Sequence, residues 1–237
     1  MFGTTRFEEL LVNASSMLHA YNPDKMQSSR LLPTPNVVNA GDVELFFRGV
    51  EAGVIDVKPD GRFNTLDRPT PPGRWALLSR SQAGGWFNAE YLPQLAAYVE
   101  AILDLGYPPE RVLFELPATS LQLDLAILDD EGSVRVLGEA KRSTAALTTL
   151  RNGVLDRFSD QAPGPESKRR GDEQRQLAWR LWTVGPQITW LIGPGHREAF
   201  RTTLTPLGLD SIPTLPPAHV LGLGDSPPKP LTPPVIL

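Results

Sequence analysis

The chain has 237 residues, of which 41% are hydrophobic and 21% charged, and its formal net charge is −4. This composition is that of an ordinary globular protein, and the length is enough for one domain of about 150 residues with additions. The chain has no cysteine, which excludes disulfides, thiolate zinc sites and cysteine nucleophiles, and its three scattered histidines argue against a histidine-based metal centre.

The sequence contains no apolar run of the ~20 residues that a membrane-spanning helix needs, and its start lacks the pattern of a signal peptide. It therefore predicts a soluble, cytoplasmic protein with no membrane association. The net negative charge gives no whole-chain electrostatic argument for binding nucleic acid, although a single groove can still be basic.

Residues 1–84 are predicted to form an α+β accessory region that recognises the target or a partner. Apolar spacing predicts a helix over residues 5–21, and a second helix begins at Gly41-Asp42 and continues to Val50. A strand over residues 54–57 then turns at residues 59–61. This order of elements is faintly similar to a winged helix.

Residues 85–205 show a clearer pattern of alternating elements. A helix capped by Asn88 is predicted to run to Leu105, where Gly106 ends it. The elements that follow are three strands joined as an antiparallel meander (111–116, 121–128, 133–141), a short helix (145–152), a polar loop (159–171), a helix (172–183), a strand (187–192) and a final helix from Gly195 to Leu204. The predicted class is α/β with the order αβββαβα.

The last segment, residues 206–237, is rich in proline. Nine of its 32 residues are Pro, which predicts an extended tail lying on the surface or on a partner.

Asp124 interrupts an otherwise apolar strand, and Glu139-Ala140-Lys141 ends the next one. Side chains alternate along a strand, so Glu139 and Lys141 share a face, and a turn centred on residues 130–131 places Asp124 level with Glu139. Two carboxylates suit Mg²⁺ or Mn²⁺, and the backbone carbonyl of Ala140 is a further candidate ligand. Lys141 can orient a water molecule or stabilise charge on a phosphorane.

Asp124 followed by Glu139-Ala140-Lys141, on adjacent strands after a helix and before a helix-strand pair, resembles the PD-(D/E)XK nuclease superfamily, whose core is αβββαβ. The resemblance covers residues 89–204, and Leu123 stands where the motif has proline. It implies a restriction-endonuclease-like core with a central mixed sheet and metal-dependent hydrolysis of phosphodiester bonds in DNA, as in restriction, phage-defence or repair enzymes. It also implies pairing as a homodimer or within a larger complex.

The superfamily often adds a glutamate from the first helix and polar residues from the later helix. Here the first-helix candidates are Glu90 and Glu100, and Glu100 is preferred because it flanks the apolar stripe. Glu115 is a third candidate, since it faces Asp124 if the hairpin turns at residues 119–120. Candidates for nucleic-acid contact are the basic run Lys168, Arg169 and Arg170, and Gln174 or Gln176, which with Trp179 resemble the family's glutamine-aromatic element.

Other interpretations remain open. Glu139 and Lys141 alone could be a solvated ion pair at a strand end, but Asp124 inside an apolar strand needs a partner for its charge. A catalytically inactive nuclease-fold subunit that binds nucleic acid or a protein partner is the main alternative. A plain interaction protein, which uses the proline-rich tail, is the other.

Overall fold

The computed structural model describes residues 2–21, 38–67, 75–81, 84–118, 121–164 and 172–223. The N-terminal part consists of two helices, a three-stranded antiparallel sheet and a separate hairpin. Its helices are α1 (Phe2–Tyr21) and α2 (Ala40–Glu51); its strands are β1 (Ile55–Val57), β2 (Arg62–Thr65), β3 (Trp75–Ala76) and the hairpin β4 (Leu78–Ser81) with β5 (Gly84–Phe87).

A six-stranded mixed sheet forms the centre of the molecule, in the order β11-β10-β9-β8-β7-β6. Strands β8 and β9 are parallel and all other neighbours are antiparallel. The elements are α3 (Tyr91–Leu103), β6 (Val112–Ala118), β7 (Leu121–Leu128), β8 (Val134–Ala140), α4 (Thr144–Phe158), α5 (Glu173–Val184), β9 (Ile188–Gly193), β10 (His196–Leu204) and β11 (Leu207–Ile212). The chain is thus a mixed α/β protein with a central mixed sheet, as its sequence predicts.

Two apolar clusters cover the two faces of this sheet. One contains Phe114, Leu125 and Ile127 together with α3 and with Phe7 and Phe46 of the N-terminal helices. The other joins alternate residues of the same strands to α4 and α5, through Ala126, Leu137, Leu191, Leu150 and Leu177. The N-terminal region therefore shares a core with the α3 side of the sheet. Among the described helices, none has the length and apolar character needed to cross a bilayer.

Helix α3 begins later than its sequence predicts. Asn88 does not cap it: the Asn88 side-chain amide donates to the Ala76 carbonyl and to Ser79 Oγ, both at 2.6 Å, and the helix starts at Tyr91. A cap residue must present its side chain to the first helical N–H groups, and the Asn88 side chain is instead used to join two neighbouring strands.

The predicted final helix over residues 195–204 is wrong, because this segment is strand β10. Pro194 and Gly195, the latter with a φ of 61°, form a two-residue turn that pairs His196 with Gly193. The prediction overlooked that a Pro-Gly turn signal directly after a strand of β-branched and aromatic residues favours a hairpin. Thr202, in the strand, hydrogen-bonds to Thr189 of β9 through their hydroxyl groups at 2.8 Å.

The prediction of an extended tail from residue 206 is wrong for the part of that segment that the structure describes. Leu207–Ile212 forms β11, which pairs with β10 along its length, and Ala218–Leu221 is a short 3-10 helix. Leu207 and Leu215 are buried, so apolar residues between the prolines attach this segment to the body. Residues 224–237 lie outside the described part of the chain.

Gly138 of β8 lies in close contact with side chains of β7 and β9. A Cβ atom at this position would be 2.7 Å from the Leu125 Cβ and 3.3 Å from Ile192 Cδ1. We expect Gly138→Ala to lower the free energy of unfolding by about 1–3 kcal/mol, the usual cost of overpacking a core. Thermal melts of this variant and of Gly164→Ala, which has space for a Cβ, measure the effect. Equal melting temperatures for Gly138→Ala and wild type would show that the neighbouring side chains can shift to make room for the Cβ atom without a loss of stability.

Candidate active site

Three carboxylate residues lie level with one another across β6, β7 and β8. The pairs Phe114–Leu125 and Leu116–Leu123 bracket Glu115 and Asp124, which therefore occupy opposite positions. The register of the Leu125–Gly138 pair, extended by one residue, places Glu139 opposite Asp124 on the other side. The structure thus brings together Glu115, Asp124 and Glu139, which we call the carboxylate row.

Asp124, the central member of the row, is held through both its side chain and its backbone. Its Oδ2 accepts a hydrogen bond from the Ala140 N–H at 2.7 Å, and its carbonyl oxygen accepts one from Gln94 Nε2 at 2.5 Å. Burial, and then the charges of Glu139 and Glu115, raise the pKa of Asp124 well above its usual value. Its Oδ1 has no hydrogen-bond partner in the part of the chain that the structure describes.

Glu139 is enclosed by two cations. Its Oε1 lies 2.7 Å from Lys141 Nζ and its Oε2 lies 2.7 Å from Arg180 NH1, while its side chain is only 4% exposed. Burial alone would raise the pKa of Glu139, but Arg180 and Lys141 overcome that effect and hold the pKa below its usual range. Glu139 is therefore ionised at neutral pH, and its pKa is shifted in the opposite direction from that of Asp124.

Lys141 is a buried cation at the end of β8. Burial alone would lower its pKa, but Glu139 and Asp124 more than offset this effect and raise it. Lys141 therefore keeps its proton at neutral pH and acts as a fixed positive charge. Its ammonium also lies 3.7 Å from Glu173 Oε2 at the start of α5.

Glu115 has an unusual backbone conformation. Its φ is 50°, and it is the only non-glycine residue with a positive φ in the described ranges. Such conformations cost about 1–3 kcal/mol and occur often at functional sites. The Glu115 side chain is buried, and its Oε1 accepts a hydrogen bond from Gln94 Nε2 at 3.1 Å. Gln94 therefore joins two members of the carboxylate row.

Glu90, and not Glu100, is the glutamate that α3 brings to this site. The Glu90 carboxylate accepts a hydrogen bond from the Arg142 backbone N–H, and Lys141 and Glu139 act on its charge. Partial removal from water is the main cause that raises its pKa. Glu100, the candidate preferred from the sequence, pairs instead with Arg197 Nε at 3.2 Å, and Arg197 also binds Asp42 of α2.

A cavity of about 480 Å³ opens beside Asp124 and Glu115. Its walls combine the acidic residues with two arginines, Arg142 and Arg180, and an aromatic rim. The complete lining is Trp86, Phe87, Asn88, Ala89, Glu90, Tyr91, Gln94, Glu115, Asp124, Arg142 and Arg180.

Comparisons with family models, with curated proteins and with solved structures found no match for this chain. Its chemistry must therefore be inferred from the residues around the cavity.

Of the predicted nucleic-acid contacts, the structure describes those on α5. Lys168, Arg169 and Arg170 are outside the described residues. Gln174 accepts a hydrogen bond from Arg157 at 2.8 Å and lines a second cavity, of about 640 Å³, between α4 and α5. Gln176 is half-buried on α5, and Trp179 packs against the apolar cluster of that face. Gln176 lies between Glu173 and Arg180 on one face of α5, and these two residues contact Lys141 and Glu139 of the site.

Sequence reasoning missed Gln94, Arg142 and Arg180. Gln94 follows Glu90 by four residues, so both side chains lie on one side of α3, and this spacing was a usable signal. Arg142 directly follows Lys141. Arg180 is a cation among the apolar residues of α5, but nothing in the sequence pairs it with Glu139, 41 residues earlier.

The donor chemistry of the row fits a hard divalent cation, although no three His, Asp or Glu side chains in the described ranges form a complete ligand set. Asp124 and Glu139 supply two carboxylates, and Glu115 lies on the other side of Asp124. Mg²⁺ commonly uses only one or two protein carboxylates, with water and substrate phosphate completing its shell. The raised pKa of Asp124 indicates excess negative charge that a cation would neutralise.

Proposed function

We propose that this protein is a Mg²⁺- or Mn²⁺-dependent nuclease that hydrolyses phosphodiester bonds in DNA. The observation that carries the proposal is the carboxylate row beside a cavity, with the Lys141 ammonium 2.7 Å from Glu139. The order α3-β6-β7-β8-α4-α5-β9 supports it, because it follows the αβββαβ core of the PD-(D/E)XK superfamily with one added helix.

Asp124 and Glu139 would hold the cation. The N–H and C=O groups of one strand residue point to the same side, so the Ala140 carbonyl is oriented toward Asp124, as its N–H is, and can add a third oxygen. When bound, the cation would polarise the scissile phosphate and lower the pKa of a coordinated water. The chain itself positions these ligands: Gln94 fixes the Asp124 backbone, and Arg180 keeps Glu139 ionised.

Lys141 contributes charge and not proton abstraction. Because its pKa is raised, its ammonium can stabilise negative charge that develops on the phosphate oxygens, and it cannot serve as a general base near neutral pH. A protonated Lys141 is compatible with both roles that the sequence allowed for it, orientation of a water molecule and stabilisation of charge on a phosphorane.

One observation favours the alternative of a catalytically silent nuclease-fold subunit. Both oxygens of Glu139 are already in ion pairs, an arrangement that can also be purely structural. The two functions differ in whether cleavage occurs at all, so activity separates them.

A cleavage assay with plasmid, linear duplex and single-stranded DNA tests the proposal. We expect cleavage with Mg²⁺ or Mn²⁺ that stops when EDTA is added. Lys141→Ala should lower the rate by about 10²–10³-fold, the usual effect of losing one group that stabilises transition-state charge. Lys58→Ala is the matched control, since Lys58 is an exposed lysine that also pairs with a carboxylate two residues away.

Thermal melts of each variant exclude unfolding as the cause of any loss. Cleavage that persists in EDTA, or in folded Lys141→Ala, would contradict the proposed site. Binding of DNA without cleavage by the wild type would favour the silent subunit.

A further inference from the structure

Trp86 is an exposed aromatic residue on the rim of the cavity that contains Asp124. Its exposed fraction is 42%, and it is the only aromatic among the exposed large hydrophobic residues of the described ranges. It lies on β5, opposite Ser79 of β4. Trp86 lines this cavity while its side chain is exposed, so its ring is accessible to a ligand bound there.

The indole of Trp86 is held in place through its polar edge. Its Nε1 donates to Asn88 Oδ1 at 2.9 Å, and the amide nitrogen of Asn88 is itself fixed to the Ala76 carbonyl and Ser79 Oγ. The N–H of the ring is therefore satisfied within the protein, and what remains for a ligand is its apolar face. A ring fixed in advance loses little conformational entropy when a flat ligand stacks on it.

Arg142 supplies an available positive charge in the same cavity. Its side chain is exposed, and its guanidinium has no hydrogen-bond or ion-pair partner among the described residues, whereas Arg180 is bound to Glu139. Guanidinium groups bind phosphate oxygens in a bidentate way. The cavity thus combines a surface for a flat apolar ring with a cation for phosphate.

We propose that the cavity takes an unpaired nucleotide of a DNA strand, with its base stacked on Trp86 and its phosphate held by Arg142. This inference rests on the proposed nuclease function and names its substrate class as single-stranded DNA or a strand end that has opened. In an intact duplex the faces of the bases are covered by their neighbours, so an indole can reach a base face only where the strand is unpaired or the base is flipped out.

Binding to an inactive variant tests this proposal separately from catalysis. Fluorescence anisotropy with a labelled single-stranded oligothymidylate measures the affinity of the inactive variant Asp124→Asn with and without Trp86→Ala. We expect the added Trp86→Ala substitution to weaken binding by about 10-fold or more. Binding of a blunt duplex of the same length should change much less. Leu103→Ala removes an apolar side chain of similar exposure, 39%, from the end of α3 and should leave both affinities unchanged.

Trp86→Phe distinguishes stacking from a structural effect. Phenylalanine keeps a ring for stacking, so single-strand affinity should be largely retained, while the quenching of tryptophan fluorescence on binding should fall sharply. Equal single-strand affinity for Trp86→Ala and its parent, or a stronger effect on blunt duplex than on single strand, would overturn the proposal. Trp86-dependent binding of single strands by a wild type that cleaves nothing would support the stacking site and refute the nuclease.

Discussion

Replacing Asp124 by asparagine is expected to abolish cleavage and, at the same time, to make the protein more stable. Asparagine has nearly the same shape, and its carbonyl oxygen can still accept the hydrogen bond from the Ala140 N–H. Loss of a metal ligand removes several kcal/mol of transition-state stabilisation, about 10²–10⁴-fold in rate. Loss of the charge relieves the burial and carboxylate repulsion that raise the Asp124 pKa.

The gain in stability has a defined dependence on pH. The folded-state pKa of Asp124 lies above its ordinary value of 3.8, so the wild-type protein loses stability as the pH rises from that value through the folded-state pKa. Asparagine does not titrate. The variant should therefore match the wild type in acid and exceed it above the folded-state pKa of Asp124, by about 0.5–2 kcal/mol, the range typical of single stabilising substitutions.

Thermal melts in EDTA, from about pH 4 to about pH 8, measure this difference, because each kcal/mol shifts Tm by about 2–4 °C in a protein of this size. Asp56→Asn is the matched control. Asp56 is exposed beside Lys58, which lowers its pKa, so that substitution should not stabilise the protein. A lower Tm for Asp124→Asn than for the wild type at neutral pH would contradict this prediction, because it would show that neighbouring cations make the Asp124 charge stabilising in the folded protein.

The sequence predicted Asp124 and Glu139 on adjacent strands, and left Glu115 as one of three candidates for a further carboxylate, because local rules determine strand register. Strands β6, β7 and β8 are joined by short turns, so counting residues from each turn gives their register, and a charged residue among apolar ones marks the site. Asp124, Glu115 and Glu139 could all be placed in this way. The ends of the predicted strands agree with the structure to within one or two residues.

The choice between Glu90 and Glu100 could not be made by the same rules. Every residue of α3 from Leu92 to Val99 is buried, Gln94 included, because the helix is covered by the sheet on one side and by α2 and the N-terminal strands on others. An apolar stripe shows where a helix faces a single core, and this helix has no solvated face over that stretch. The ion pair between Arg180 and Glu139 could not be predicted for a related reason, because only the packing of α5 on the sheet brings the two residues together.

Replacing Glu139 by glutamine is expected to have the opposite effect on stability from Asp124→Asn, although both variants should be inactive. Glutamine leaves Lys141 and Arg180 without the carboxylate that each binds at 2.7 Å. Removing one partner of a buried ion pair typically costs about 3–5 kcal/mol. Because Glu139 has a lowered folded-state pKa, the stability it contributes is present at neutral pH and lost as the pH falls through that pKa.

Thermal melts of Glu139→Gln, extended from neutral pH to well below the ordinary glutamate pKa of 4.5, should therefore show a large deficit at neutral pH that shrinks in strong acid. Glu8→Gln, at an exposed position of α1, is the control and should have the same Tm as the wild type. A neutral or stabilising Glu139→Gln would mean that its ion pairs only offset the cost of burying the carboxylate.

The double variant of Asp124→Asn and Glu139→Gln tests whether the two carboxylates act as one unit. With Glu139 neutral, the repulsion that helps to raise the Asp124 pKa is gone, and Asp124 becomes the nearby counter-ion for Lys141 and Arg180. Asp124→Asn should then destabilise the protein in this background, although it stabilises the protein when made alone. A reversal of sign in this cycle requires coupling between the two sites, either directly or through the cations that they share, whereas simple additivity of the two changes would place them in separate electrostatic environments.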